Sequence, residues 1–329
     1  MRRRNVIVGL AGAAAWPLAA RAQQPGKVPK IGFLYPGPVA ASTARIEAIL
    51  AGLREVSYRE SRQLELVSRI ADGNSTKLST LAEELVRQEV DLIIAVSTAA
   101  IRMAQAATAT TTPIIPIIGH DLETDPVASG LIESYARPGG QITGVFFDFP
   151  EIRSKWLELL QEAIPGLASV AMLWDPASGP AQKKAAESAA DRLNLRVKTF
   201  EVRTTNEVGD AFLAGAREGV GAVLVLSSPF FGTHSPLLAD LALRHRLPTI
   251  TLFPDFARAG GLMAYGPNLL ETYRTAGSMA GKLLRNLKPS DLAIERPSRF
   301  ELIVNVRTAK AIGVTIPTSI LLRADEVIE

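Results

Sequence analysis

Short apolar runs alternate with helix-patterned stretches along this chain, and midway the whole alternation begins again. KIGFLYPG (30–37) is an apolar run stopped by Pro and Gly. Residues 42–57 then set Ile46, Ile49, Leu50 and Leu53 at helical spacing, and LELVSRI (64–70) is the next run. Residues 76–88 place Leu78, Leu81, Ala82, Leu85 and Val86 on one face. DLIIAVS (91–97), PIIPII (113–118) and QITGVFF (141–147) predict further strands, with a small-residue helix over 98–107. The restart reads helix 150–164, strand SVAMLWD (169–175), helix 180–193, strand RVKTFEV (196–202), helix 205–217, strand GAVLVLS (221–227), helix 236–246 and strand PTITLF (248–253). Alternation at this spacing predicts α/β architecture, a parallel sheet covered by helices, twice over. The two lobes join near 146–150. The tail adds a short strand (261–266), a long helix (268–287), the strand FELIVNV (300–306) and a short helix (308–312), returning segments that tie the lobes together.

The N-terminus carries an address. MRRRNVIVGLAGAAAWPLAARAQQ has arginines at 2, 3 and 4, an uncharged apolar run from Val6 to Ala20, and the small-x-small site Ala20-Arg21-Ala22. That is the layout of a cleavable export signal over residues 1–22, and Arg3-Arg4 suits a twin-arginine type. Cleavage after Ala22 removes four arginines and no acid, taking the formal charge from +3 to −1. A nearly neutral mature chain has no electrostatic footprint for nucleic acid. The absence of cysteine excludes disulfides, thiolate metal sites and cysteine nucleophiles, so the core alone must hold the fold. No later run approaches about 20 unbroken apolar residues. The expected location is a bacterial periplasm.

ARPGG (136–140) invites a phosphate-loop reading, which needs glycines between a strand and a helix N-terminus. Here Gly139-Gly140 precede the strand QITGVFF, so a tight turn is expected. GHDLETD (119–125) gathers a histidine and three carboxylates after a strand. With His234 and His245 isolated, solvated loop charges are favoured over a metal site, one carboxylate facing a ligand. No nucleophile-elbow spacing is present, so no catalytic residue is assigned and an α/β hydrolase is the disfavoured alternative. In open α/β sheets ligands gather at the carboxyl ends of strands. Tyr35, Ser97, Thr98, His120, Asp121, Asp175, Ser227, Ser228 and Asp255 fall there. Each alone is as readily a helix cap or turn residue, but from two facing lobes they line a cleft. Phe146, Phe147 and Phe149 at the junction read as hinge packing.

RPSRFELIVNVRTAKAIGVTIPTSILLRADEVIE (296–329), DPVASGLIESYARPGGQITGV (125–145) and AGGLMAYGPNLLETYRTAG (259–277) resemble the signature segments of bacterial ABC-transporter substrate-binding proteins, the family that includes tryptophan-binding members. The resemblance runs over nearly the whole chain. Ser57, Ser61 and Ile70 replace glycines and an aromatic residue common in the family, and Gln141 stands where Asn is usual. The resemblance implies a type-I periplasmic-binding-protein fold of two Rossmann-like lobes joined by a multi-crossing hinge. Lobe 1 is then 30–148 with about 256–297, and lobe 2 is 149–255 with about 298–329. It implies capture of a small solute, without chemistry or cofactor, and delivery to an ABC permease with its ATPase by a monomer. A periplasmic sensor partner is the other use of this fold. In an amino-acid-like solute, Ser97 and Thr98 suit the anionic end, and Asp121, Asp175 or Asp255 an ammonium. Tyr35, Phe230 and Tyr265 suit the apolar wall. Phe147, Asp148, Phe149 and Pro150 form the expected hinge.

Overall fold

The computed structural model describes residues 28–56, 64–147 and 151–329. The expected export signal and the expected hinge residues Asp148, Phe149 and Pro150 lie outside the described residues.

The first sheet takes β1 (Lys30–Tyr35), β2 (Glu65–Ile70), β3 (Leu92–Val96), β4 (Ile117–Asp121) and β5 (Ile142–Phe146) in the order β2-β1-β3-β4-β5. Every pair is parallel. Helices α1 (Val39–Glu55), α2 (Leu78–Arg87) and α3 (Thr98–Thr108) connect its strands. All five residues of β3 and of β4 are buried, as strands between two helix layers require. In α2, Leu78, Ala82 and Leu85 of the expected stripe are buried, while Leu81 and Val86 are half-buried at its edges.

After α4 (Glu151–Ala163) the pattern repeats through β6 (Ser169–Trp174), α5 (Pro180–Arg192), β7 (Arg196–Glu201), α6 (Thr205–Arg217) and β8 (Ala222–Val225). It continues through α7 (Pro229–Thr233), α8 (Ser235–Arg244), β9 (Thr249–Thr251), α9 (Pro254–Arg258) and β10 (Met263–Pro267). Helix α10 (Leu269–Leu283) precedes β11 (Phe300–Asn305), α11 (Val306–Ile312), α12 (Thr318–Leu321) and β12 (Glu326–Ile328). The second sheet runs β12-β11-β10-β9-β8-β6-β7, parallel except where β10 meets β11.

Three details differ from expectation. The strand expected at 113–118 begins at Ile117, because Pro113 and Pro116 have no N–H to give a ladder. His120 and Asp121 therefore end the strand instead of occupying the loop beyond it. The return to the first lobe, expected near 256, comes after Pro267: α9 packs on α8 and β11, and β10 pairs with β9 and β11. The glycine pair does form a turn into β5. Gly139 takes φ 79, and the Glu133 N–H closes the loop on Pro138 O at 2.9 Å.

Helix α10 belongs to the first sheet although it lies far along the chain. It packs against α1, where glycines let the backbones touch. A Cβ on Gly52 would lie 1.8 Å from Arg274 O, and one on Gly277 2.0 Å from Ile49 O. The chain then returns beside β5, with Phe146 N–H donating to Glu295 O at 3.1 Å and Glu295 N–H to Gly144 O at 2.9 Å. Phe147 is buried, donates to Asp121 O at 2.9 Å, and its ring lies 5.5 Å from that of Phe300. No helix among the described residues is long and apolar enough to cross a membrane.

Candidate functional site

The site begins where β3 ends. Ser97 caps α3 with φ 80 and ψ 153, a backbone region essentially reserved for glycine. Its N–H donates to His120 O at 2.8 Å, and its hydroxyl accepts from Ala100 N–H at 3.4 Å. This turn delivers the first amides of α3, with the positive end of the helix dipole, to the space between the sheets. Thr98 Oγ1 donates to Asp121 Oδ2 at 2.5 Å. Asp121 Oδ1 accepts from the N–H groups of Glu123 and Thr124, each at 2.8 Å, so the carboxylate shapes its own loop.

That loop carries Glu123 across to the second lobe. Its Oε1 accepts from Ser227 Oγ at 2.8 Å and its Oε2 from Leu122 N–H at 3.2 Å. Burial, followed by the neighbouring Asp121 charge, pushes the Glu123 carboxyl up to about 8. Burial also raises Asp121, with the Thr98 hydrogen bond opposing. Two buried carboxyls side by side repel one another when both ionise, which is the arrangement a cation relieves.

Between the sheets lies a cavity of about 390 Å³, the size of a small-solute site. Of the residues expected in a cleft, Ser97, Thr98, Asp121, Asp175 and Phe230 line it. Asp175 comes from the second lobe, where it accepts from Ala177 N–H at 2.9 Å. Glu123, Thr124, Arg203 and His234 are among its other polar walls. A chamber of about 60 Å³ adjoins it, lined by Tyr35, His120 and Asp255, again as expected positions, and by Arg45 and Tyr273. The cavity and the chamber share Pro36, Ser97, Glu123, Pro229 and Thr233 as walls.

Three expected residues do not line this space. Ser227 stands behind the wall, held by Glu123 and by Gln182, whose Nε2 donates to Ser227 O at 2.9 Å. Ser228 is fully buried and caps α7, accepting from Phe231 N–H at 3.1 Å. Tyr265 lies elsewhere, in a depression lined by Glu151 and Phe300. Its carbonyl accepts from Trp156 Nε1–H at 2.7 Å and its ring stacks 6.0 Å from Phe300, so it faces α4 and β11. Glu123, Arg45, Tyr273 and His234 were not singled out in the sequence. Glu123 stood in the flagged GHDLETD run. Arg45 and Tyr273 sit on ordinary amphipathic helices, and His234 looked isolated until α7 turned it toward the cavity. Among the described residues no group of three or more His, Asp or Glu side chains is placed to hold a metal ion.

Comparison with known proteins follows the same lines. Residues 39–328 match the family model described as ABC transporter substrate binding protein. A tyrosine-binding protein of Clostridioides difficile is 25% identical over 271 residues, 81% of this chain and 75% of that protein. The structure of a domain in complex with L-Trp from Streptococcus pneumoniae superposes with a TM-score of 0.82 at 24% identity, covering 91% of this chain and 99% of that one. The ligand-free, open structure of a substrate-binding protein with adhesive properties from Clostridium difficile gives 0.67 at 23% identity, over 92% and 99%.

Proposed function

The chain belongs to the ABC transporter substrate-binding proteins, and from that premise we propose that it captures an amino-acid-like solute between its two lobes. The solute is released unchanged to a membrane permease. The moving bodies are the first sheet with α1–α3 and α10, and the second sheet with the remaining helices. The protein acts as an exported monomer in the periplasm, with Phe147–Pro150 at the hinge.

The observation that carries this reading is the pairing of opposite charge preferences in one cavity. The α3 N-terminus at Ser97, Thr98 and Ala99 favours a carboxylate, while Asp121, Glu123 and Asp175 favour an ammonium. A zwitterion satisfies both, and Phe230 with the neighbouring Tyr35 offers its side chain an apolar wall. The tyrosine and L-Trp named for two relatives are zwitterions of this kind. Because Glu123 reaches Ser227, lobe closure and a filled cavity are coupled, and the solute must favour the closed arrangement to drive it.

A thermal-shift screen of the purified protein against the proteinogenic amino acids tests this. A solute that binds only the native state raises the melting temperature by mass action. The expected result is a shift from one or a few amino acids, absent with their decarboxylated and deaminated analogues. No shift from any amino acid, or equal shifts from the amine and the acid alone, defeats the proposal.

A further inference from the structure

Asp121, Glu123 and Asp175 all line the cavity, and they differ in what the protein already gives their oxygens. Asp121 holds a donor on each: Thr98 Oγ1 on Oδ2, and the Glu123 and Thr124 N–H groups on Oδ1. Glu123 does too, with Ser227 Oγ on Oε1 and Leu122 N–H on Oε2. Both belong to the first lobe, where they shape the loop after β4 and fasten it to the second. Asp175 differs. It follows β6 in the second lobe, and its Oδ1 accepts from Ala177 N–H at 2.9 Å. Among the described residues, its Oδ2 has no donor.

A carboxylate oxygen without a partner is costly where water is scarce, and Asp175 is only 6% exposed. The cationic groups nearby are engaged elsewhere. On the same cavity wall, Arg203 pairs with Glu201. His234 Nδ1 lies 2.8 Å from Phe230 O, which can only accept, so that nitrogen donates to it. Lys183, on α5, lies over the Trp174 ring at 5.1 Å and pairs with Glu187 at 3.9 Å. The open oxygen is left for a group that enters the cavity, and a cation with N–H donors is the complement that a buried carboxylate requires.

The opposite charge is provided for in the first lobe. In the first turn of α3 the Ala99 N–H has no intrahelical acceptor, and Ala99 lines the cavity. We propose that Asp175 is the ammonium-binding residue of the cavity, so that the solute's two charges are divided between the lobes, its carboxylate on the α3 N-terminus and its ammonium on Asp175 Oδ2. This rests on the reading of the cavity as an amino-acid site. A solute held in this way bridges the lobes through its own charged ends, whatever its side chain. A compound with one of the two charges occupies one lobe without drawing in the other.

Calorimetric titration sets each proteinogenic amino acid that binds against the same compound with hydrogen in place of its amino group. The amino acid is expected to bind at least about tenfold more tightly, because hydrogen bonds between charged groups are the strong ones. Asp175→Asn keeps an oxygen for the Ala177 N–H and removes the charge. In this variant the preference is expected to fall to within about threefold, through weaker binding of the amino acid alone. Asp175→Ser, another residue suited to capping a helix, carries the same expectation where Asn disturbs the turn. A preference that survives both substitutions, or an equal weakening of the amino acid and the deaminated compound, overturns the assignment and leaves the amino-acid cavity standing. Binding of no amino acid by the unaltered protein overturns both.

Discussion

Ser97 concentrates the tension between folding and function at the scale of one residue. It occupies φ 80 and ψ 153 without being glycine, a conformation that costs about 1–3 kcal/mol. The expense is local and the return is the presentation of the α3 amides to the cavity. Ser97→Gly relieves the strain and loses a long cap bond that glycine replaces at a cost of only a few tenths of a kcal/mol. The variant is expected to be more stable by about 1 kcal/mol in urea unfolding, while binding its solute less tightly. A lower unfolding midpoint would show that the backbone is not strained there. Ser97 was legible in the sequence, because an apolar run ending in a hydroxyl before a helix marks a strand end. The strain was not, because it depends on the hydrogen bond to the carbonyl of His120, a residue of a neighbouring strand. Glu123 shows the same division. Its carboxyl was visible in GHDLETD, but its contact with Ser227 required two lobes to meet.

Among elements, the junction of α1 with α10 determines how the tail is used. Both helices could be read from their apolar spacing, and the strand–helix alternation of each lobe was equally plain. Nothing in either helix announces the other. Gly52 and Gly277 are the trace of their meeting, since each sits where a Cβ would enter the facing backbone. Gly277→Leu must drive α1 away from α10, an overpacking cost of about 1–3 kcal/mol or more. The expected outcome is a matching loss of stability in urea unfolding, and a variant as stable as the parent would refute backbone contact at this crossing. The shift of β4 to Ile117 has a simpler origin. Hydrophobicity alone marked PIIPII, whereas the missing N–H groups of Pro113 and Pro116 limit where the ladder begins.

For the molecule as a whole, the Glu123–Ser227 bond is a contact that joins a wall of the cavity to the second lobe. Ser227→Ala leaves a buried carboxyl oxygen without its partner only when the lobes are together, a penalty of about 1–3 kcal/mol. Solute affinity is therefore expected to fall by about tenfold or more. Small-angle scattering should show less compaction on adding solute than in the parent. Unchanged affinity with full compaction would make the contact incidental to closure.

The order of amino acids alone was enough for the α/β class, the two lobes, the turn at Gly139 and the strand ends from which a site is built. These follow from local rules: the period of apolar residues, the missing N–H of proline, and the conformations open to glycine. It also carried the family resemblance over most of its length. Three-dimensional packing set Tyr265 toward α4, returned the tail after Pro267, and brought Arg45 and His120 into one chamber. Those outcomes depend on which faces pack together across distant segments, and a residue's own neighbours in the chain do not specify that.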